Sequence, residues 1–307
     1  MSRILITGAS GLLGLNFGLI MSKQHEVFGV VNQNLLHGVP FNVIQADLIK
    51  DDMAVSLLDR IQPEVIIHCA AMANIDQCES NQDLAFQINA LLPEKMALAA
   101  RRLGIRLVHI STDAVFDGQR GNYHETDQTN PLSVYALTKL QGEQRVADTY
   151  PEAIISRVNF YGWSLTGKRS LGEFFYTNLK SGARVKGFTD VYFCPLEVTY
   201  LIELLMKMVQ GGISGLYHVV SSQAISKYDF GCNIADQFGF DKTLISPASW
   251  KDSGLIAARS PNLTLDVSKL TRSLGENLPE QQPGLARFRS QATQGYPDQI
   301  QSYKKGD

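Results

Sequence analysis

The chain has 307 residues, room for one large α/β domain with an appended lobe and for a substantial core. Apolar residues make up 44% and charged ones 19%, a balance that excludes intrinsic disorder, collagen and a coiled coil. Lysine plus arginine (28) nearly cancels aspartate plus glutamate (30), and a net charge of −2 offers no basic surface for a nucleic-acid backbone or an anionic membrane.

The first element is a strand over residues 3–7, and the segment it opens needs weighing. From Ile4 to Met21 no residue is charged, behind Arg3, as in a signal peptide or a membrane span; Gly14 and Gly18 even form a G-x-x-x-G. Gly8, Gly11, Gly14 and Gly18 dilute its hydrophobicity, however, and no small-residue cleavage site follows. A strand, a glycine turn and a helix over 12–22 account for it, and the chain reads as soluble. Further strands are expected over 27–31, 42–45, 64–69, 106–111 and 153–157, as short β-branched runs suited to burial on both faces of a parallel sheet. Helical patterns fall between them, over 52–61, 82–103 and 134–149. Pro63 follows the first of these, and Gly104 is placed to cap the second. Repeated β-α alternation predicts an α/β fold with a doubly wound parallel sheet of the Rossmann type.

Beyond residue 160 the rhythm breaks. A helix over 168–184, an apolar helix over 198–209, a strand over 216–220 and an amphipathic helix over 227–238 predict a smaller α+β lobe interleaved with returning sheet segments. The dinucleotide domain is read as 1–160 plus segments near 190–220. The substrate lobe is read as about 161–189 and 221–290, with a mobile polar tail over 291–307. Cys69, Cys78, Cys194 and Cys232 stand far apart, with no C-x-x-C and no clustered histidines. This spacing predicts no metal site and points to reduced thiols in a cytoplasmic protein.

Gly8-Ala-Ser-Gly11-Leu-Leu-Gly14 follows the first strand and opens the first helix. Glycines there let backbone N–H groups and the helix N-terminus approach a pyrophosphate. About 20 residues further on, where an acid would hold the ribose of NAD or an arginine the phosphate of NADP, the chain has Asn32-Gln33-Asn34. With no acid to repel a phosphate, the choice tilts from NAD to NADP. Tyr135-Ala-Leu-Thr-Lys139 places a phenol and an ammonium on one helical face, where the cation is expected to lower the phenol's pKa toward that of a working proton donor. Ser111-Thr112-Asp113 ends the fifth strand, where ligands bind in an open sheet, and Asn89 lies mid-helix, where asparagine is disfavoured.

In this order the motifs resemble the extended short-chain dehydrogenase/reductase family, and within it the dTDP-4-dehydrorhamnose reductase branch. The likeness is carried by the glycine turn, His68-Cys-Ala-Ala71, Ile75-Asp76-Gln-Cys-Glu79, Asn89, Ser111-Thr-Asp-Ala-Val-Phe-Asp-Gly118, Glu125-Thr-Asp127, Pro131-Leu-Ser-Val-Tyr-Ala-Leu-Thr-Lys139 and Gly142-Glu143. It extends through Arg259-Ser-Pro-Asn262 and Leu265-Asp266, nearly the whole chain. The resemblance implies a cofactor along Gly8, Ser10, Gly11, Leu12, Leu13 and Gly14, past Asn32, Asp47 and Leu48. From there it would run by Ala70, Ala71, Met72, Asn89 and Ser111 to Lys139 at the nicotinamide ribose. Thr112 would polarise the substrate carbonyl and Tyr135 would donate the proton. Asp76, Asp113, Val115, Phe116, Asn159, Trp163 and Arg259 are the candidates for holding a nucleotide-sugar substrate, and Arg157, Lys168, Arg169 and Arg259 for its diphosphate. A homodimer is the expected assembly.

The chain also departs from the branch. Ser156-Arg-Val-Asn-Phe-Tyr-Gly-Trp163 replaces an L-R-T-S-W-V-Y-like run, and Phe193-Cys194-Pro195 replaces a Gly-x-Pro. The implied activity is reduction of a nucleotide-activated 4-keto-deoxysugar. Ala114 stands where 4,6-dehydratases of the family carry glutamate, which argues against dehydration and leaves epimerisation as an alternative. Ser226-Lys-Tyr-Asp229 is similar to a helix start in the regulatory beta subunit of methionine adenosyltransferase, so a non-catalytic NADP-binding subunit is a second alternative.

Overall fold

The computed structural model describes residues 1–50, 52–252 and 260–304. The first half runs β1 (Arg3–Thr7), α1 (Leu12–Met21), β2 (Glu26–Val31), β3 (Asn42–Gln45), α2 (Met53–Ile61), β4 (Val65–His68), α3 (Ile75–Ser80), α4 (Gln82–Phe86), α5 (Leu92–Leu103), β5 (Arg106–Thr112), α6 (Val134–Thr149) and β6 (Ile154–Val158). The second half adds β7 (Phe160–Tyr161), α7 (Leu171–Lys180), β8 (Val185–Phe188), β9 (Tyr192–Phe193), β10 (Leu196–Glu197), α8 (Val198–Gln210) and β11 (Gly215–Val219). It closes with β12 (Ile225–Ser226), α9 (Lys227–Phe238), β13 (Ile245–Ala248), α10 (Ser268–Leu274), α11 (Gln281–Thr293) and α12 (Tyr296–Ser302).

Seven parallel strands form the central sheet in the order β11-β6-β5-β4-β1-β2-β3. The doubly wound Rossmann-type sheet expected from the alternation is therefore present. The strand order reverses at β1, so the ends of β1 and β4 flank the crevice where such sheets bind ligands. Alternate strand residues feed two apolar layers. Ile4, Ile6, Ile67 and Val108 pack with α1 and α8, whereas Leu5, Ile66 and Leu107 pack with α2 and α5. The charge-free stretch after Arg3 is explained by α1, which apart from Asn16 is apolar around its circumference and is buried from Leu12 to Leu19. Among the described residues no helix is long and apolar enough to cross a membrane.

The segment expected as one helix over 82–103 contains a π-helical turn at Gln87–Leu91 between α4 and α5. Gly104 caps α5 with φ of 67°. The helix expected over 168–184 is shorter, because Ser170 and Glu173 form a capping box that starts α7 at Leu171. In the second half, three two-stranded pairings (β7 with β10, β8 with β13, β9 with β12) sit beside α7 and α9. Within the stretch read as a mobile tail, the described residues 291–304 pack on the rest of the chain. There α12 buries Ile300 completely, the Tyr296 hydroxyl donates to Asn16 Oδ1 at 2.9 Å, and Lys304 bridges to Leu36. Scattered polar residues concealed a helix of only seven residues with Ile300 buried.

Candidate active site

The glycine turn is shaped by contact. Gly8 adopts φ of 67°, and a Cβ there would lie 2.8 Å from the Ala70 nitrogen; on Gly14 it would lie 2.4 Å from the Gly8 carbonyl oxygen. A side chain on Gly8 would meet the backbone just beyond β4, and one on Gly14 would meet the backbone of the turn itself. The cap of α1 is Gly11, which supplies no side-chain acceptor, so the first N–H groups of this buried helix are left for a ligand. This cradle fits a dinucleotide pyrophosphate, with the Leu12 and Leu13 side chains in the core and their backbone at the turn. Asn32 is exposed, half-buried Asp47 accepts from the Ile49 amide at 3.4 Å, and Leu48 is buried.

Asn89, on the π-helical turn, is fully buried. Its side chain accepts from Met72 N (2.8 Å) and donates to Met72 O (3.1 Å) and Thr138 Oγ1 (3.1 Å). It therefore ties the Ala70-Ala71-Met72 loop to α6 instead of spending its amide on a ligand. Gly142 permits this, since a Cβ there would lie 2.2 Å from the Asn89 carbonyl oxygen.

Helix α6 begins at a Ser133 cap and brings Tyr135 and Lys139 to the end of β5. Lys139 is buried and donates to the Ile110 carbonyl at 2.6 Å; burial lowers its pKa to about 8, while the Glu143 carboxylate pulls the other way. Burial pushes the Tyr135 phenol up to about 12, opposed by a hydrogen bond with Thr112 and reinforced by Asp113. The lysine was expected to depress this phenol. Here desolvation of the buried phenol prevails, and the ammonium is bonded to the Ile110 carbonyl. Thr112 accepts from the Ala114 amide (3.2 Å) and donates to Asp113 Oδ1 (3.1 Å). Buried Asp113 also accepts from Asn159 Nδ2 at 2.6 Å. Burial raises its pKa to about 6 against those two bonds and the charge of Lys227.

Other candidates fall elsewhere. Ser111 is buried and donates to Glu143 Oε1 at 2.5 Å, so its hydroxyl faces the interior and not the cofactor. Arg157 is bidentate on Glu143 (2.8–3.1 Å) and 3% exposed, which removes it as a phosphate ligand. Val115 and Phe116 are fully buried, with Phe116 stacked on Tyr123 at 4.2 Å. Trp163 stacks on Phe288 at 3.9 Å and is 2% exposed, packed in the apolar cluster that also holds the sheet residues Ile4 and Ile6. Aromatic side chains look alike in sequence whether they face ligand or core. Asp76 is exposed in the first turn of α3, Lys168 and Arg169 are exposed, and Arg259 lies outside the described residues. Among the described residues no group of acids, histidines and cysteines could hold a metal ion. The sequence reading missed Lys227, at the start of α9, whose charge reaches Asp113. Its only signal was its place behind the capping residue Ser226.

The family described as RmlD substrate binding domain matches residues 1–294. The chain is 33% identical over 287 residues to the "Probable low-salt glycan biosynthesis reductase Agl14" of Haloferax volcanii, covering 92% of this chain and 95% of that one. Methionine adenosyltransferase 2 subunit beta of Rattus norvegicus is 31% identical over 288 residues, 90% of this chain and 84% of that one. The crystal structure of dTDP-4-dehydrorhamnose reductase from Bacillus anthracis in complex with NADP superposes with a TM-score of 0.80 at 27% identity, over 94% and 98% of the two chains. The glycine cradle, the α6 tyrosine and lysine and a match over almost the entire chain agree: the protein belongs to the RmlD substrate binding domain family.

Proposed function

We propose that the chain is an NADPH-dependent reductase of a nucleotide-activated 4-keto-deoxysugar, working in the cytoplasm as a homodimer. The observation that carries this reading is the junction of Thr112, Tyr135 and Lys139 at the end of β5, within one sheet of the glycine cradle. A reductase and an NADP-bound reductase among its relatives support both reaction and cofactor. Gly8, Gly11 and Gly14 hold the pyrophosphate, Asp47 and Leu48 border the adenine, and the Ala70–Met72 backbone runs along the dinucleotide. Bound there, a reduced nicotinamide would supply the hydride that the sugar's carbonyl carbon takes up. The Thr112 hydroxyl holds the sugar's carbonyl oxygen in line, and the Tyr135 phenol gives that oxygen its proton. Such a phenol keeps its proton at neutral pH, as a donor must. The Lys139 ammonium stabilises the phenolate left behind once substrate and cofactor shield both from water.

Loss of NADPH absorbance with dTDP-4-dehydro-L-rhamnose tests the reading, with Tyr135→Phe beside it. Turnover should fall by about 10²–10⁴-fold in the variant, the usual worth of a general acid. Tight NADPH binding without turnover by the wild type would favour the second reading, a regulatory subunit, which the similarity to the methionine adenosyltransferase beta subunit motivates.

A further inference from the structure

Tyr135, Lys139 and Glu143 follow one another at four-residue spacing along α6, so they share one face of the helix. The first two belong to the chemistry proposed above. Glu143, 4% exposed, is absorbed by none of it. A buried carboxylate persists only where partners repay its lost hydration. Glu143 has two. Arg157 on β6 grips it through Nε and Nη2, at 3.0, 3.1 and 2.8 Å, and Ser111 on β5 donates to it at 2.5 Å. The Arg157 guanidinium also lies 4.9 Å from the centre of the Phe116 ring. Ser111 sits between Ile110, whose carbonyl receives the Lys139 ammonium, and Thr112.

We propose that Glu143 is a positioning residue for the reduction: its carboxylate fastens α6 to the end of β5, with Arg157 as counterion, and sets the charge that Lys139 faces. This rests on the reductase reading above. The other groups that meet Lys139 are uncharged near neutral pH. His68 at the end of β4 is driven to about 3 by burial, His109 on β5 is lowered well below its usual value by burial, and burial raises the Cys69 thiol to about 12. Glu143 is the carboxylate that opposes the loss of the lysine's proton.

The test is a graded series, wild type, Glu143→Asp and Glu143→Gln, each in the full chain. Lysine labelled with ¹³C at Cε is titrated by NMR, and the Lys139 signal is assigned by its loss in Lys139→Met. The Lys139 midpoint should fall by about one pH unit in Glu143→Gln and by a smaller step in Glu143→Asp, as expected when a nearby opposite charge is removed or withdrawn. With the keto-sugar, kcat should fall about tenfold or more in the glutamine variant, the KM for NADPH should change little, and aspartate should restore part of the rate. The basic limb of the rate profile should move with the midpoint. A midpoint that stays fixed across the series overturns the proposal and leaves Glu143 a structural brace. If Glu143→Gln does not fold, the comparison of wild type with Glu143→Asp decides by the same criterion. Because the titration needs no substrate, a midpoint that moves in a protein inactive on keto-sugars would sink the reductase reading and keep the Glu143–Lys139 coupling.

Discussion

At the scale of single residues, the site works by withholding water from groups that sequence alone shows as ordinary. Asp113 illustrates this. It is followed by an alanine and a valine in what reads as a turn, yet its carboxylate is buried, receives Asn159 and Thr112, and titrates near 6. The carboxylate is the stronger acceptor for both donors, so kcat/KM in the wild type should decline as pH falls through about 6. Asp113→Asn should remove that limb and lower the plateau by about 10- to 100-fold, the worth of one charge-assisted hydrogen bond. A limb near 6 that persists in the variant would assign it to another group. For stability the sign is opposite. A carboxyl whose folded pKa lies above its ordinary value of about 3.9 binds more protons when folded, so its contribution becomes less favourable as pH rises from about 4 to about 6. Lys139 acts in another window: with its folded pKa lowered to about 8, its contribution improves as pH rises from there toward its ordinary value of about 10.4.

Between elements, the decisive contacts are close approaches of backbone that only glycine permits. The π-helical turn and α6 meet where Gly142 lies under the Asn89 carbonyl, and Asn89 carries the cofactor-side loop through Met72. Gly142→Ala would place a Cβ 2.2 Å from backbone oxygen, so the two helices must separate. The expected cost is about 1–3 kcal/mol, seen as a lower Tm, together with weaker NADPH binding by fluorescence titration. Wild-type Tm and affinity would show that this packing is looser than the geometry requires. The sequence signalled the contact only indirectly, through an asparagine in mid-helix and a glycine inside another helix, both of which local propensity disfavours.

Over the whole molecule, the sheet and the second half of the chain share one apolar cluster that runs from Ile4 and Leu12 through Trp163, Phe230 and Phe288 to Ile300. Trp163→Ala should therefore lower stability by about 3–5 kcal/mol, the usual cost of emptying a buried aromatic site, while leaving the substrate KM of the folded fraction nearly unchanged. A raised KM at wild-type Tm would return Trp163 to the sugar pocket. By itself the sequence determined the sheet strands, the glycine turn and the order Thr112, Tyr135, Lys139. Each of these is encoded locally, by apolar periodicity, by a backbone conformation open to glycine, or by four-residue helical spacing. The tertiary structure alone decided that Ser111 and Arg157 serve Glu143, that Trp163 and Phe116 are core, and that the last helix docks on α1. Those outcomes depend on which partner, distant in sequence, satisfies a buried polar group or fills a volume, and one-dimensional spacing carries no record of that partner.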